Sequence, residues 1–246
     1  MVGPNAAAAR EPVHEGRHAG AVEEWVFAAW TADARLGVVS GHRIVGATAW
    51  YWAALARSDR PLLHITDFEV PVRADPFIVK GEAMWAEHVC DAPGEQWSVG
   101  NETYASALDD ADEALGRGYG TPTPIAFDLE WYASARPTPV DTPRDTSSPG
   151  ERVSGYVQEG VVHGRIEILG EDPVDLVEVP ARRWHRWATD PGRRTSGETH
   201  RSASLPPLDL PDAAAHTGVR APFAFPDGSV LDLVLTRSGW ARRRVR

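Results

Sequence analysis

Cysteine is almost missing from this chain. Cys90 is the single one in 246 residues, so no disulfide can form within it, which fits a reducing compartment. Lysine is as scarce, with Lys80 alone beside many arginines. No apolar run approaches the roughly 20 residues that a membrane-crossing helix needs. The opening stretch, MVGPNAAAAREPVHEGRHAG, lacks the basic start and long apolar segment of a secretion signal. Positive charge is in deficit, with 25 Lys and Arg against 35 Asp and Glu and a formal net charge of −10. That average field repels a polyanion, so nucleic acid is excluded as the expected partner; the WARRRVR end is a local basic tail. These absences leave a soluble, cytoplasmic protein with no membrane span as the expectation.

Tryptophan is what the chain has in excess: ten residues, where ordinary composition gives roughly three. Such an excess serves either an aromatic-lined cavity or an unusually aromatic core. The apolar pattern has mostly period two. In IAFDLEWYA, Phe127, Leu129 and Trp131 share one face and Asp128, Glu130 and Tyr132 the other. In ATAWYWAAL, Trp50 and Trp52 point one way, Tyr51 and Leu55 the other, and both faces are apolar. Turn signals such as TADARLG, RSDRP, DAPGE and FPDG separate these runs at short intervals. The pattern predicts an all-β, antiparallel architecture of two barrel or sandwich halves. Only Asp109–Arg117 reads as helical, with Asp109 or Asp110 as its cap.

Residues 1–20 read as a disordered leader with nothing to bury. An N-terminal β domain follows over 21–135. The Pro-, Ser- and Thr-rich stretch 136–151 reads as a linker, and 152–246 as a C-terminal β domain. Within the latter, the polar stretch Thr189–Gly218 is too long for a hairpin turn and reads as disorder or a lid.

Few motifs carry chemistry. HEGRH, His14 to His18, spells the zinc-protease pattern, which converges two imidazoles on one ion only when it lies on a helix. Pro12, Gly16 and Gly20 argue against a helix there, so no metal is assigned. No nucleophile elbow, phosphate loop or dinucleotide fingerprint is present, and no cofactor is expected. Cys90 shares strand parity with His88, a pairing that suits a nucleophile, but a lone cysteine is more often a small buried hydrophobe. In SGYVQEGVVHGRIEILG, Tyr156, Gln158, Gly160 and Val162 share a face that mixes polar tips with small residues, as a ligand cavity would. In VPARRWHRWATDPG, His185 and Trp187 project together, in the parity of Val177 and Val179, and Trp184 projects oppositely beside Arg182 and Arg186. The plain alternative makes His185 a hydrogen-bonded structural residue and Trp187 part of the core.

The segments EEWVFAAW, FDLEWYA, GYVQEGVVHGRIEI and RRWHRW, in that order, resemble the two-domain lipocalin-like (calycin) group that includes carotenoid 1,2-hydratases and, more distantly, tocopherol cyclases. The similarity is strongest to actinobacterial members and covers most of the chain from Glu23. The resemblance implies two calycin-like halves, a cavity for a hydrophobic terpenoid- or polyketide-like molecule, and a His-x-Trp pair, falling on His185 and Trp187, that takes part in acid-catalysed hydration. The Tyr-x-Asp pair of the hydratase pattern has only Phe225–Asp227 near its place. The expected cavity lining is Trp50, Trp52, Trp131, Tyr156 and Gln158. Hydratase, cyclase or isomerase chemistry is then open to the site: an imidazolium supplies a proton to an alkene and a tryptophan face steadies the cation. A non-catalytic lipophilic carrier or scaffold of the same fold is the alternative reading, and a zinc hydrolase on His14 and His18 a further one.

Overall fold

A computed structural model of the chain describes residues 15–18, 20–140, 142–143, 152–189, 205, 207–213 and 219–243. The strands are β1 (Ala21–Trp30), β2 (Leu36–Val45), β3 (Thr48–Arg57), β4 (Leu62–Pro71), β5 (Ile78–Lys80), β6 (Met84–Ala92), β7 (Gln96–Leu108) and β8 (Thr121–Ala133). They continue with β9 (Thr138–Pro139), β10 (Thr142–Pro143), β11 (Arg152–Ile168), β12 (Val174–Thr189), β13 (Arg220–Ala224), β14 (Val230–Thr236) and β15 (Gly239–Arg242). The stretch expected to be helical is a single 3-10 turn, Ala111–Leu115, capped by Asp110, whose carboxylate accepts from the Asp112 N–H. No described helix is long and apolar enough to cross a membrane.

The all-β, antiparallel expectation holds. Eight of the described strands bond into a ring, in the order β1, β2, β3, β4, β7, β8, β11, β12 and back to β1. The seam between β4 and β7 is its shortest contact, three residue pairs from Leu62↔Leu108 to His64↔Ser106. β6 occupies the rest of that edge of β7 and carries β5. β11 and β12 lie beyond the Pro-rich stretch, yet they complete the same ring as the strands before it. The two halves expected on either side of 136–151 are therefore not two separate barrels. Part of that stretch is itself bonded, since β9 and β10 both pair with β11; residues 141 and 144–151 lie outside the described residues.

Strand parity sorts the side chains as period two requires. Trp25, Phe27, Tyr51, Trp97, Leu129, Trp131 and Ile166 fill the inside of the ring. Val26, Trp30, Trp52, Ala54 and Trp184 point outwards. There they meet a second, three-stranded sheet of β13, β14 and β15 that brings Phe223, Leu233, Leu235 and Trp240 against them. Leu208 and Leu210, from the long polar stretch, are buried in the same layer; its residues 190–204, 206 and 214–218 lie outside the described residues. The chain is thus a filled ring with a small sheet laid across one flank.

One departure from simple alternation matters for the site. β12 carries a bulge opposite Val162–Gly164, where Glu178 adopts a positive φ of 50°. Leu176 consequently faces inwards and Val177 is exposed. The expected shared parity of Val177 with His185 fails for that reason, while Val179, Ala181, Arg183, His185 and Trp187 keep one phase beyond the bulge.

Trp240 ties the small sheet to the ring by burial and by an indole N–H bond to the Ala29 carbonyl at 3.1 Å. Trp240→Ala is expected to destabilise the protein by about 3–5 kcal/mol, read as a lowered urea midpoint with an unchanged native circular dichroism spectrum.

Candidate functional site

Register brings the polar interior together at one end of the ring. Across the strands, Tyr156, His185, Trp25, His42 and Tyr51 form one row. The next row towards the mouth pairs Trp187 with Glu23 and Glu23 with Ile44. Glu23 is therefore the diagonal neighbour of His185, close enough for long side chains to meet. The His185 Nε2 lies 2.7 Å from Glu23 Oε1, and its Nδ1 lies 3.0 Å from the Tyr156 hydroxyl. Both His185 and Glu23 have no exposed surface.

Residues 15–18 cross this mouth and insert into it. Glu15 accepts two bonds from the Arg183 guanidinium, at 2.7 and 3.1 Å, one from the Gly94 N–H, and a short one from Tyr156. Arg183 is fully buried, faces the rings of Trp131, Tyr156 and Trp97 at 4.9–5.5 Å, and also donates to Gln158. Gln158 passes the polar contact on to the Gly94 and Ala135 carbonyls. His18 lies further out. Its ring stacks on Trp187 at 4.1 Å, its Nδ1 is 2.7 Å from Glu23 Oε1, and its N–H donates to Glu23 Oε2. The last part of the expected leader is thus built into the site, because among the described residues Glu15 is the carboxylate that pairs with the buried Arg183. Residues 1–14 and 19, including His14 of the zinc-protease spelling, lie outside the described residues, and residues 15–18 form no helix.

A second polar cluster lies deeper. Trp25 is stacked between His185 and His42, each at 4.8 Å. His42 and His88 share a hydrogen bond between their Nδ1 atoms at 2.7 Å, so one donates and the other accepts. His88 continues to Ser40, Ser40 to Tyr51, and Asn101 donates to the Tyr51 hydroxyl. His42 Nε2 is buried with no hydrogen-bond partner among the described residues. Burial pushes His42 down to about 3 and holds His88 well below the usual imidazole range. His64, outside the ring under Phe223, is pushed down to about 4 by burial, against the pull of its bond with the Pro222 carbonyl.

Burial also lowers His185, opposed by the hydrogen bond and charge of Glu23. For Glu15, burial alone favours the neutral acid, but the bonds and charge of Arg183, aided by Tyr156 and Gly94, reverse this and hold the carboxyl below its ordinary value. Cys90 packs against the ring core, and burial pushes its thiol up to about 11, in keeping with the small hydrophobe of the sequence reading.

Of the residues expected to line one cavity, Trp131, Tyr156 and Gln158 do face the same interior as His185 and Trp187. Trp50 and Trp52 do not. They lie on the outer face beneath the small sheet, against Phe225 and beside the Arg43 guanidinium, which binds Glu24 and Asp227. The interior space bordered by Phe27, Val38, Val99, Leu129 and Trp131 measures about 10 Å³, no more than one water requires. Sequence reasoning passed over Glu15, Glu23, Trp25 and Arg183. For two of them the signal was present: Glu23 sits in the phase of Trp25 and Phe27, and Arg183 in the phase of His185.

Two outcomes follow. Glu15→Ala leaves Arg183 buried and unpaired, and is expected to destabilise the fold by about 3–5 kcal/mol; adding Arg183→Met should restore most of the loss in a thermal melt. Stability should also fall early in acid. A histidine whose folded pKa is depressed contributes stability above its unfolded value near 6.5, lost as pH drops towards the folded value. His42 and His64 should each therefore lower stability by about 2 kcal/mol between pH 7 and pH 5, seen as a falling urea midpoint over that range.

Comparison with family models, curated proteins and solved structures found no match to this chain, so its functional reading rests on the geometry of the site.

Proposed function

We propose that the protein binds a small, apolar-bodied unsaturated molecule at the mouth of the ring and transfers a proton to it through His185. The observation that carries this reading is the placement of His185 between a carboxylate and a hydroxyl, Glu23 and Tyr156, one register step from the half-buried face of Trp187. His185 has a partner on each nitrogen and an aromatic neighbour that leads towards solvent.

The chemistry follows from the donors. A proton on His185 Nε2, shared with Glu23, adds to an alkene carbon; the electron-rich faces of Trp187 and Trp25 steady the resulting cation. Water then captures the cation and gives its proton to Glu23, or the neighbouring carbon loses a proton to Glu23 and the double bond moves; Glu23 then returns the proton to His185 Nε2. Hydration and isomerisation are therefore the reaction classes, in keeping with the lipocalin-like hydratase resemblance of the sequence. The filled interior argues for a ligand seated at the mouth, beside His18 and Trp187, and against a carrier that swallows a long chain: cavities for such ligands run to about 300 Å³ or more.

Geraniol in D2O serves as the test. The purified chain, treated with EDTA, is expected to accelerate deuterium incorporation or water addition at the alkene, read by NMR. His185→Ala should reduce this by roughly a hundredfold or more with geraniol still bound in native mass spectra, and Trp187→Ala should weaken binding. Equal exchange rates with wild-type and His185→Ala protein would leave His185 as a structural residue.

A further inference from the structure

Every other buried carboxylate described in this protein has an arginine against it. Glu15 has Arg183, Glu24 has Arg43 and Arg186, and Asp232 has Arg220. Glu23, with no exposed surface, has instead two imidazole nitrogens, His18 Nδ1 and His185 Nε2, each at 2.7 Å from the same oxygen. A carboxylate removed from water needs a compensating positive charge, and neither imidazole is a permanent one.

The hydrogen bonds on the far side of His185 sharpen the point. Glu15, gripped by both terminal nitrogens of Arg183, can only accept. The Tyr156 hydroxyl therefore donates its one hydrogen to Glu15, and its oxygen accepts from His185 Nδ1–H. This assigns the proton of a neutral His185 to Nδ1 and leaves a lone pair on Nε2, aimed at a carboxylate oxygen 2.7 Å away. Two lone pairs do not attract. Something positive belongs between them.

From this geometry we infer that His18, Glu23 and His185 form a binding site for a first-row divalent metal ion of the zinc or iron(II) class. The three ligand atoms lie within 4.8 Å of one another. Bonds of about 2.0–2.2 Å to two imidazole nitrogens and a carboxylate oxygen are what such ions take; to make them, Glu23 Oε1 must draw back and the partly exposed ring of His18 must move towards His185. The chain His185–Tyr156–Glu15–Arg183 is the outer support that holds a metal-binding imidazole in the required tautomer. Stacking on Trp187 fixes the ring of His18. His18 keeps 26% of its side chain exposed, so an ion has a way in from the mouth. The zinc-protease spelling required His14, His18 and a helix; this site uses His18 with two residues that the spelling does not contain. The inference goes beyond the reading above and concerns the same nitrogen: an ion on His185 Nε2 takes the place of the proton that the reading puts there, so the two describe the metal-loaded and the metal-free site.

Metal binding can be measured with no organic ligand present. The full chain is stripped with EDTA, freed of the chelator and titrated with Co2+ alone. The expected result is one ion per chain, with visible absorption bands of imidazole- and carboxylate-bound Co2+ that disappear when Zn2+ competes. His18→Ala, the variant least able to disturb the core, and the isosteric Glu23→Gln should each weaken Co2+ binding about tenfold or more and change the bands, with near-ultraviolet circular dichroism preserved. Should Glu23→Gln fail to fold, His18→Ala alone decides. No saturable Co2+ binding below about 1 mM, or binding unchanged by His18→Ala, overturns the site. Loss of binding in His14→Ala with full binding in His18→Ala overturns it as well. The geraniol experiment is run on EDTA-treated protein, so failure of the metal site leaves proton transfer standing, and the reverse also holds.

Discussion

A guanidinium with no exposed surface sits inside the ring, and the rest of the site is arranged around neutralising it. Arg183 is held by aromatic faces that contribute modestly and by Glu15, which contributes a full opposite charge. A buried pair of this kind is poor evidence of net stabilisation, because desolvation offsets much of the attraction. It is strong evidence of specificity. The chain before β1 has one position at which Glu15 satisfies Arg183, Tyr156 and the Gly94 N–H together, and that position carries His18 over Trp187 and beside Glu23. The crossing segment, the orientation of His185 and the closure of the mouth are thus consequences of one ion pair.

The division of labour between the two faces of the wall is equally physical. On β1, Glu23 and Trp25 face inwards while Glu24 and Val26 face outwards. Glu24 reaches Arg43 and Arg186 beneath the small sheet. On β12, His185 and Trp187 face the mouth while Trp184 and Arg186 face the covering sheet. Both strands of the site are therefore pinned from both sides; a one-residue slip of β12 would put Trp184 or Arg186 where the imidazole now sits, and one of β1 would put Val22 or Glu24 in place of Glu23.

Much of this was legible in the amino-acid order. The alternation in IAFDLEWYA and ATAWYWAAL predicts all-β structure and correctly opposes Trp52 to Tyr51. The phase of VPARRWHRWATDPG brings His185 and Trp187 together as observed. What the order does not carry is which strand meets which. Trp50 and Trp52 read as cavity lining because an aromatic buried on either face of a strand looks alike in sequence; the three-stranded sheet that covers them is known only from the fold. The Pro-rich stretch reads as a boundary, but ring closure by β11 and β12 is a long-range pairing that local composition does not encode. Glu15 lay in a stretch without apolar period, and its burial follows from a partner 168 residues away. The bulge at Glu178 has no glycine or proline at the residue itself to announce it.

The order of strands in the ring bears on how the protein comes into being. β1, the first ring strand made, bonds on one side to β12, the last. Glu23 and His185 are 162 residues apart in the chain, and Glu15 and Arg183 are 168 apart. Contacts of such sequence separation form late, because a long loop must be closed before they repay it. On the ribosome, the site has no partial form: its acidic half emerges first and remains without its histidine and its arginine until β12 has been synthesised and the ring has shut. The polar cluster of this molecule is assembled in the same event that closes the ring, so an unfinished chain carries its two halves apart.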